Sequence, residues 1–319
     1  MSDSFAYINV NDIDLSDKRF LHFTPFIDTK DLADSIKHTG LIHPVWVRPE
    51  NEHYIAVSGV SRINAYKYNQ EQTIPAFVLS READDYTCLL KAITAVSSCR
   101  ELSQAELIRC LVHLSRFRSV EEIERSIPGL FHTPLSGKFI RALIDIGQIQ
   151  PALIDLIEAG LMSVKTAEKL RRFDPEQRRI ILDLFMNIKV SASVQSEIVT
   201  HLFEISQRDR IDFKSVLADS GITDMLNNSQ IDGVAKARKI RKILYEKRFP
   251  KIAAARKRVQ QTIQALKPGS ELKIEPSDTF EDPYIRFSFR AKNRRQYQHC
   301  LEKLDSLAGR ADFERLLEQ

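Results

Sequence analysis

The first eighty positions switch between two apolar periods, and that switching predicts a small mixed α/β domain. Residues 7–13 read as a strand or extended entry. Residues 28–39 carry Leu32, Ala33 and Ile36 at helical spacing, with Gly40 as the stop. Short β-branched or aromatic runs at 44–48 and 54–57 flank a polar turn at 49–53. A helix over 59–68 follows, with Asn69 as a left-handed cap, and a strand over 74–79 closes the unit.

From residue 81 to about 266 the period is almost wholly helical. Breaks are expected at Ser103, Ser119, 128–134, Pro151, Ser163, 174–175, Ser191 and Pro250, with no fixed repeat length that would mark a solenoid. Lys267, Pro268 and Gly269 form a clear breaker. Two strands, 271–275 and 284–290, and a helix over 294–307 complete the chain, with a helical tail. A β-β-α piece of that size buries its own faces poorly, so pairing with a second copy is expected. The predicted class is α+β, mostly helical. Its segments are a mixed α/β domain (1–82), an all-α domain (83–175), a helical region with a basic stretch (176–266) and a β-β-α module (267–319).

A chain of 319 residues fits two or three domains, and 43% hydrophobic with 28% charged residues allows real cores. The net charge of +4 means that any basic surface comes from local clustering. Cys88, Cys99, Cys110 and Cys300 form no CxxC pair, so metal or redox use is not expected and a reducing cytoplasm is the natural setting. The first three are eleven residues apart, about three helical turns. On one continuous helix they would share a face, as small buried packing residues. No run of about 20 apolar residues and no signal-peptide start is present, so no membrane contact is expected.

Local chemistry begins at residues 54–65, Tyr-Ile-Ala-Val-Ser-Gly-Val-Ser-Arg-Ile-Asn-Ala, a strand, a glycine turn and a helix start. The first amides of a helix lack internal acceptors, and with the helix dipole they suit an anion. Gly59 permits close approach, and Ser61 and Arg62 fall in the first turn. A cation there opposes the helix dipole, so a bound phosphate is one reason for Arg62. The alternative is an ordinary strand-to-helix turn with a solvated Arg, and the two stand about even on physics alone.

The run from Leu32 to Pro49, LADSIKHTGLIHPVWVRP, then Gly59-Val-Ser-Arg-Ile-Asn-Ala65, then Ile74-Pro-Ala-Phe-Val78, resembles the N-terminal domain of ParB-like partition proteins. That family carries "LAxSIxxxGLIxPIxVRP", "GxRRxxA" and "IPAxV" in this order, with similar gaps, on a fold shared with sulfiredoxin. The resemblance implies chromosome partition or a related DNA role. It also implies a CTP site in which Gly59, Ser61 and Arg62 meet phosphate, Gly40, His43 and Pro44 line the pocket, and Arg100 joins the set. Two departures stand out. The family's GERRxRA is Gly-Val-Ser-Arg-Ile-Asn-Ala here, and its ENxxR, whose Glu and Asn serve magnesium, is Val96-Ser-Ser-Cys-Arg100, keeping only Arg100. Without that carboxylate no hard-cation ligand is evident, so neither magnesium nor CTP hydrolysis is expected. Sulfiredoxin chemistry needs a reactive Cys at the turn, and none stands there.

Leu102-Ser-Gln-Ala-Glu-Leu107 resembles the family's next helix start, with Ser103 and Glu106 as a capping box. Residues 119–127 and 136–143 would then form a helix-turn-helix across an unusually long turn. Ser136 caps the second helix; Lys138 and Arg141 share an exposed face, and Phe139, Ile140 and Leu143 face inward. In the family an Arg stands where Gly137 is here. Residues 153–167 follow the family's "VxELLxxGxLSxGHA", and Lys165 and Thr166 join Ser136, Lys138 and Arg141 as the expected DNA contacts. An ordinary helical bundle with a charged surface is the alternative.

Eleven cations between Lys236 and Arg258 surround a single acid, Glu246, and read either as a positive rod tracking DNA or as a solvated linker. The C-terminal strands and helix resemble the family's dimerisation module, implying a homodimer associated with the nucleoid. Residues 1–19 hold only Lys18 and Arg19 as basic residues, so stimulation of a partner ATPase, which the family achieves with a basic tail, is not expected. A rival class is a phosphotransferase or nuclease on the same fold. Glu52, Asp84 and Asp85 are the nearby acids off the first helix and form no convincing catalytic cluster. A DNA-tethered scaffold without nucleotide binding is the third reading.

Overall fold

The computed structural model describes residues 3–20, 23, 28–126, 129–131, 135–276 and 284–317, and divides into two compact units, Met1–Asn187 and Ile188–Gln319. The class is mostly helical α+β.

In the first unit, β1 (Ser4–Asn9) leads through a 3-10 turn to β2 (Ile13–Asp14), then α1 (Thr29–Thr39), β3 (Val45–Glu50), β4 (His53–Ser58), α2 (Val60–Tyr68) and β5 (Thr73–Val78). The sheet order is β1-β5-β3-β4-β2, with β1 antiparallel to β5, β5 parallel to β3, β3 antiparallel to β4 and β2 parallel to β4. Alternate residues point to one face, so Ile8, Val45, Val47, Ala56, Ile74 and Ala76 form the core with Ile63 of α2. The expected strand over 7–13 is split, because Asn9 caps the 3-10 turn through its side chain. Asn69 is not left-handed; its side chain donates to the Ala33 carbonyl at 2.9 Å, and Gln70 takes the positive φ.

Helix α3 (Asp85–Ser97) packs on β4. Arg48, only 6% exposed, ties β3 to this helix through Asp85 at 2.6 Å and also meets Glu50 at 2.9 Å. Lys91 of α3 lies 4.2 Å from the centre of the Trp46 ring. Then come α4 (Gln104–Leu114), α5 (Val120–Ser126), α6 (Gly137–Ile149), α7 (Pro151–Glu158), α8 (Val164–Lys169) and α9 (Pro175–Met186). The helix starts fall where sequence placed them: Ser103, Ser136, Ser163 and Asp174 are side-chain caps, and Pro151 opens α7. Packing of α9 on α7 carries this unit beyond the expected boundary at 175. The three cysteines do not share one helix. Cys88 and Cys110 are buried in α3 and α4, whereas Cys99 lies exposed between them.

The second unit contains α10 (Ala192–Asp209), α11 (Phe213–Asp219), α12 (Ile222–Asn227), α13 (Gly233–Arg248), α14 (Pro250–Leu266), β6 (Leu272–Pro276), β7 (Ile285–Phe289), α15 (Arg294–Ala308) and α16 (Ala311–Leu317). Helix α10 packs on α11 and α13. The β6–β7 pair is antiparallel, and Leu272 and Ile274 share a core with Leu307, Leu316 and, from α14, Val259 and Leu266.

Candidate functional site

Strand β4 reaches α2 through Gly59, which adopts φ 100°, a left-handed conformation that suits glycine. A Cβ at this position would also lie 2.7 Å from Val45 Cγ1. No side chain caps α2, and its first intrahelical amide bond runs from Ile63 N to the Gly59 carbonyl at 3.0 Å. The preceding amides, on Val60, Ser61 and Arg62, have no acceptor within the helix, and these residues are partly exposed.

Arg62 turns back toward the loop after α1. Its Nη1 donates to the His43 carbonyl at 2.6 Å and the Pro44 carbonyl at 3.0 Å. Those bonds give a second reason for a cation in the first turn: it joins Gly59, Ser61 and Arg62 to His43 and Pro44. Burial holds the Arg62 guanidinium below its usual pKa, with the nearby Cys99 thiol acting the other way. Gly40 ends α1 at φ 75°, and His43 is exposed beside the half-buried Pro44.

Arg100 is engaged elsewhere. It forms a two-pronged pair with Glu106 at 2.8 and 2.7 Å, and Glu106 is only 1% exposed. The same carboxylate completes the capping box by accepting from Ser103 N at 2.9 Å. The sequence showed the capping box but not the Arg100 pair, which depends on how the chain turns between α3 and α4. Among the acids of the rival enzyme reading, Asp84 caps α3 through Thr87 N at 2.7 Å and Asp85 pairs with Arg48.

The expected recognition helix is α6. Ser136 accepts from Phe139 N at 3.3 Å, and Lys138 and Arg141 are exposed. Phe139 is 40% exposed, correcting the expectation that it faces inward. Helix α5 also brings acids to this end. Arg141 pairs with Glu121 at 2.9 Å, and the Glu124 carboxylate lies where a Gly137 side chain would begin. Part of the preceding turn, 127–128 and 132–134, lies outside the described residues. Lys165 is exposed, but Thr166 is fully buried with its hydroxyl 2.8 Å from that of Ser163. Thr166 therefore belongs to the start of α8 and is withdrawn from the contact set. Glu121 and Glu124 were visible in the sequence as part of an acid-rich helix, but their place beside α6 was not.

Residues 3–94 match the ParB N-terminal domain family. The matched stretch includes both parts of the Gly59 corner and most of α3. The chromosome-partitioning protein Spo0J of Thermus thermophilus is 29% identical over 150 residues, 47% of this chain and 53% of that protein, so the ParB-like chain spans about half the relative's length. Among solved structures, a C-terminally truncated Caulobacter crescentus ParB complexed with CTP-gamma-S aligns at 18% identity and TM-score 0.27, over 57% of this chain and 99% of that one. The same protein on its centromeric parS site aligns at 17% and 0.34, over 60% and 96%.

Proposed function

We propose that this ParB-like chain is a DNA-binding partition or regulatory protein that acts as a homodimer in the cytoplasm, on the nucleoid. A nucleotide phosphate, of CTP by resemblance, sits at the turn from β4 to α2. The observation that carries this reading is the uncapped first turn of α2 beside the loop that Arg62 ties down. Amides that find no acceptor within the helix, a helix N-terminus and a neighbouring guanidinium suit a phosphate. The Glu–Asn pair of the family's magnesium site is replaced by Val96 and Ser97, so the proposal is binding without hydrolysis. Lys138, Arg141 and Lys165 are the proposed DNA contacts of the helical part, with Ser136 fixing the start of α6. Pairing of two copies through the C-terminal module is supported by α15, where Tyr297 and Leu301, one turn apart, stand 50% and 43% exposed.

Calorimetric titration with CTP tests the nucleotide site. Wild type is expected to bind, and Arg62→Ala to lose binding because both the charge and the loop tether go. Equal binding by the two proteins places the phosphate site elsewhere.

A further inference from the structure

We propose that α13 and α14 form a sequence-independent site for the phosphate backbone of duplex DNA, distinct from α6. The two helices hold eleven Lys and Arg against one acid, Glu246, and α14 has no acid at all. Since the whole chain carries only +4, the remaining residues are net negative, and the positive charge is concentrated here.

Part of this charge has structural work. Lys236, buried, donates to the Leu226 carbonyl at 2.7 Å and holds α13 to the end of α12. Arg241 pairs with Glu197 at 2.9 Å, and Arg248 pairs with Glu204, both acids lying on α10. These contacts use Glu197 and Glu204, while Asp232, whose carboxylate caps α13, acts electrostatically on Arg238. Arg238, Lys239, Lys242, Lys251, Lys257 and Arg258 remain exposed. Only Lys242 among them has an acid within ion-pair distance among the described residues, Glu246 at 3.8 Å. A merely solvated helix face normally intersperses both signs.

The span fits a duplex. The sixteen residues of α13 cover about 24 Å at ~1.5 Å per residue. Duplex DNA offers about one phosphate charge per 1.7 Å of axis. A helix that inserts into a membrane surface would instead expose a continuous apolar face. Here Ala237, Ile240 and Leu244 of α13, and Val259 and Leu266 of α14, are buried in the protein.

The test is binding of the full-length chain to a mixed-sequence duplex across a salt series. Arg238→Ala, Lys239→Ala, Lys257→Ala and Arg258→Ala together are expected to lower affinity more than tenfold. The slope of log K against log salt should become shallower by about 3.6, at ~0.9 per phosphate contact. The corresponding Arg→Lys and Lys→Arg changes retain both charge and binding, separating charge loss from misfolding. Unchanged slope and affinity in the alanine variant overturn the proposal. So does tighter binding to phosphatidylglycerol vesicles than to the duplex. Sequence preference measured with selected duplexes reports on α6 separately, so either site fails without the other.

Discussion

The start of α6 and the surface of α13–α14 both show Lys and Arg at helical spacing, yet their surroundings are opposite. At α6, Glu121 pairs with Arg141 and Glu124 occupies the space beside Gly137. On α13–α14 Glu197 and Glu204 are paired with Arg241 and Arg248, and Arg238, Lys239, Lys251, Lys257 and Arg258 stand exposed with no acid within ion-pair distance among the described residues. A count of basic residues therefore measures a nucleic-acid surface poorly. What matters is the charge left after tertiary contacts have placed the acids.

This contrast assigns different tasks to the two regions. Lys138→Ala with Arg141→Ala is expected to lower affinity for a duplex selected from a randomised pool more than tenfold, since a good base contact contributes about 1–3 kcal/mol of discrimination. Affinity for mixed-sequence duplex changes little, and gel-shift titration of both DNAs checks the pair. A fall of equal size on both DNAs would erase the distinction. A smaller effect comes from the acids. Glu121→Gln with Glu124→Gln is expected to raise affinity about threefold, the scale of screened surface charges. Gly137→Arg strengthens binding further only when Glu124 is also neutralised, and fluorescence anisotropy at fixed salt follows both steps.

Much of the architecture was legible in the sequence because it rests on local rules. Asp28, Ser103, Ser136, Ser163 and Asp174 cap helices through their own side chains, and the mixed sheet follows its short apolar runs. The Gly59 corner was legible as a strand, a glycine turn and a helix start, and the left-handed φ of Gly59 came with the structure. Partnerships across distance were not. Arg62 meeting the carbonyls of His43 and Pro44, Arg100 meeting buried Glu106, and Glu121 reaching Arg141 depend on how separate elements pack. Thr166 shows the same limit: the family resemblance placed it among the DNA contacts, while packing buries it against Ser163.

Lysine acylation of the full-length protein, with and without a mixed-sequence duplex, tests the assignment of the backbone site most directly. The duplex is expected to protect Lys239, Lys242, Lys251 and Lys257 while Lys138 and Lys165 react as they do in the free protein. Protection of Lys138 and Lys165 with undiminished labelling along α13 and α14 would contradict it.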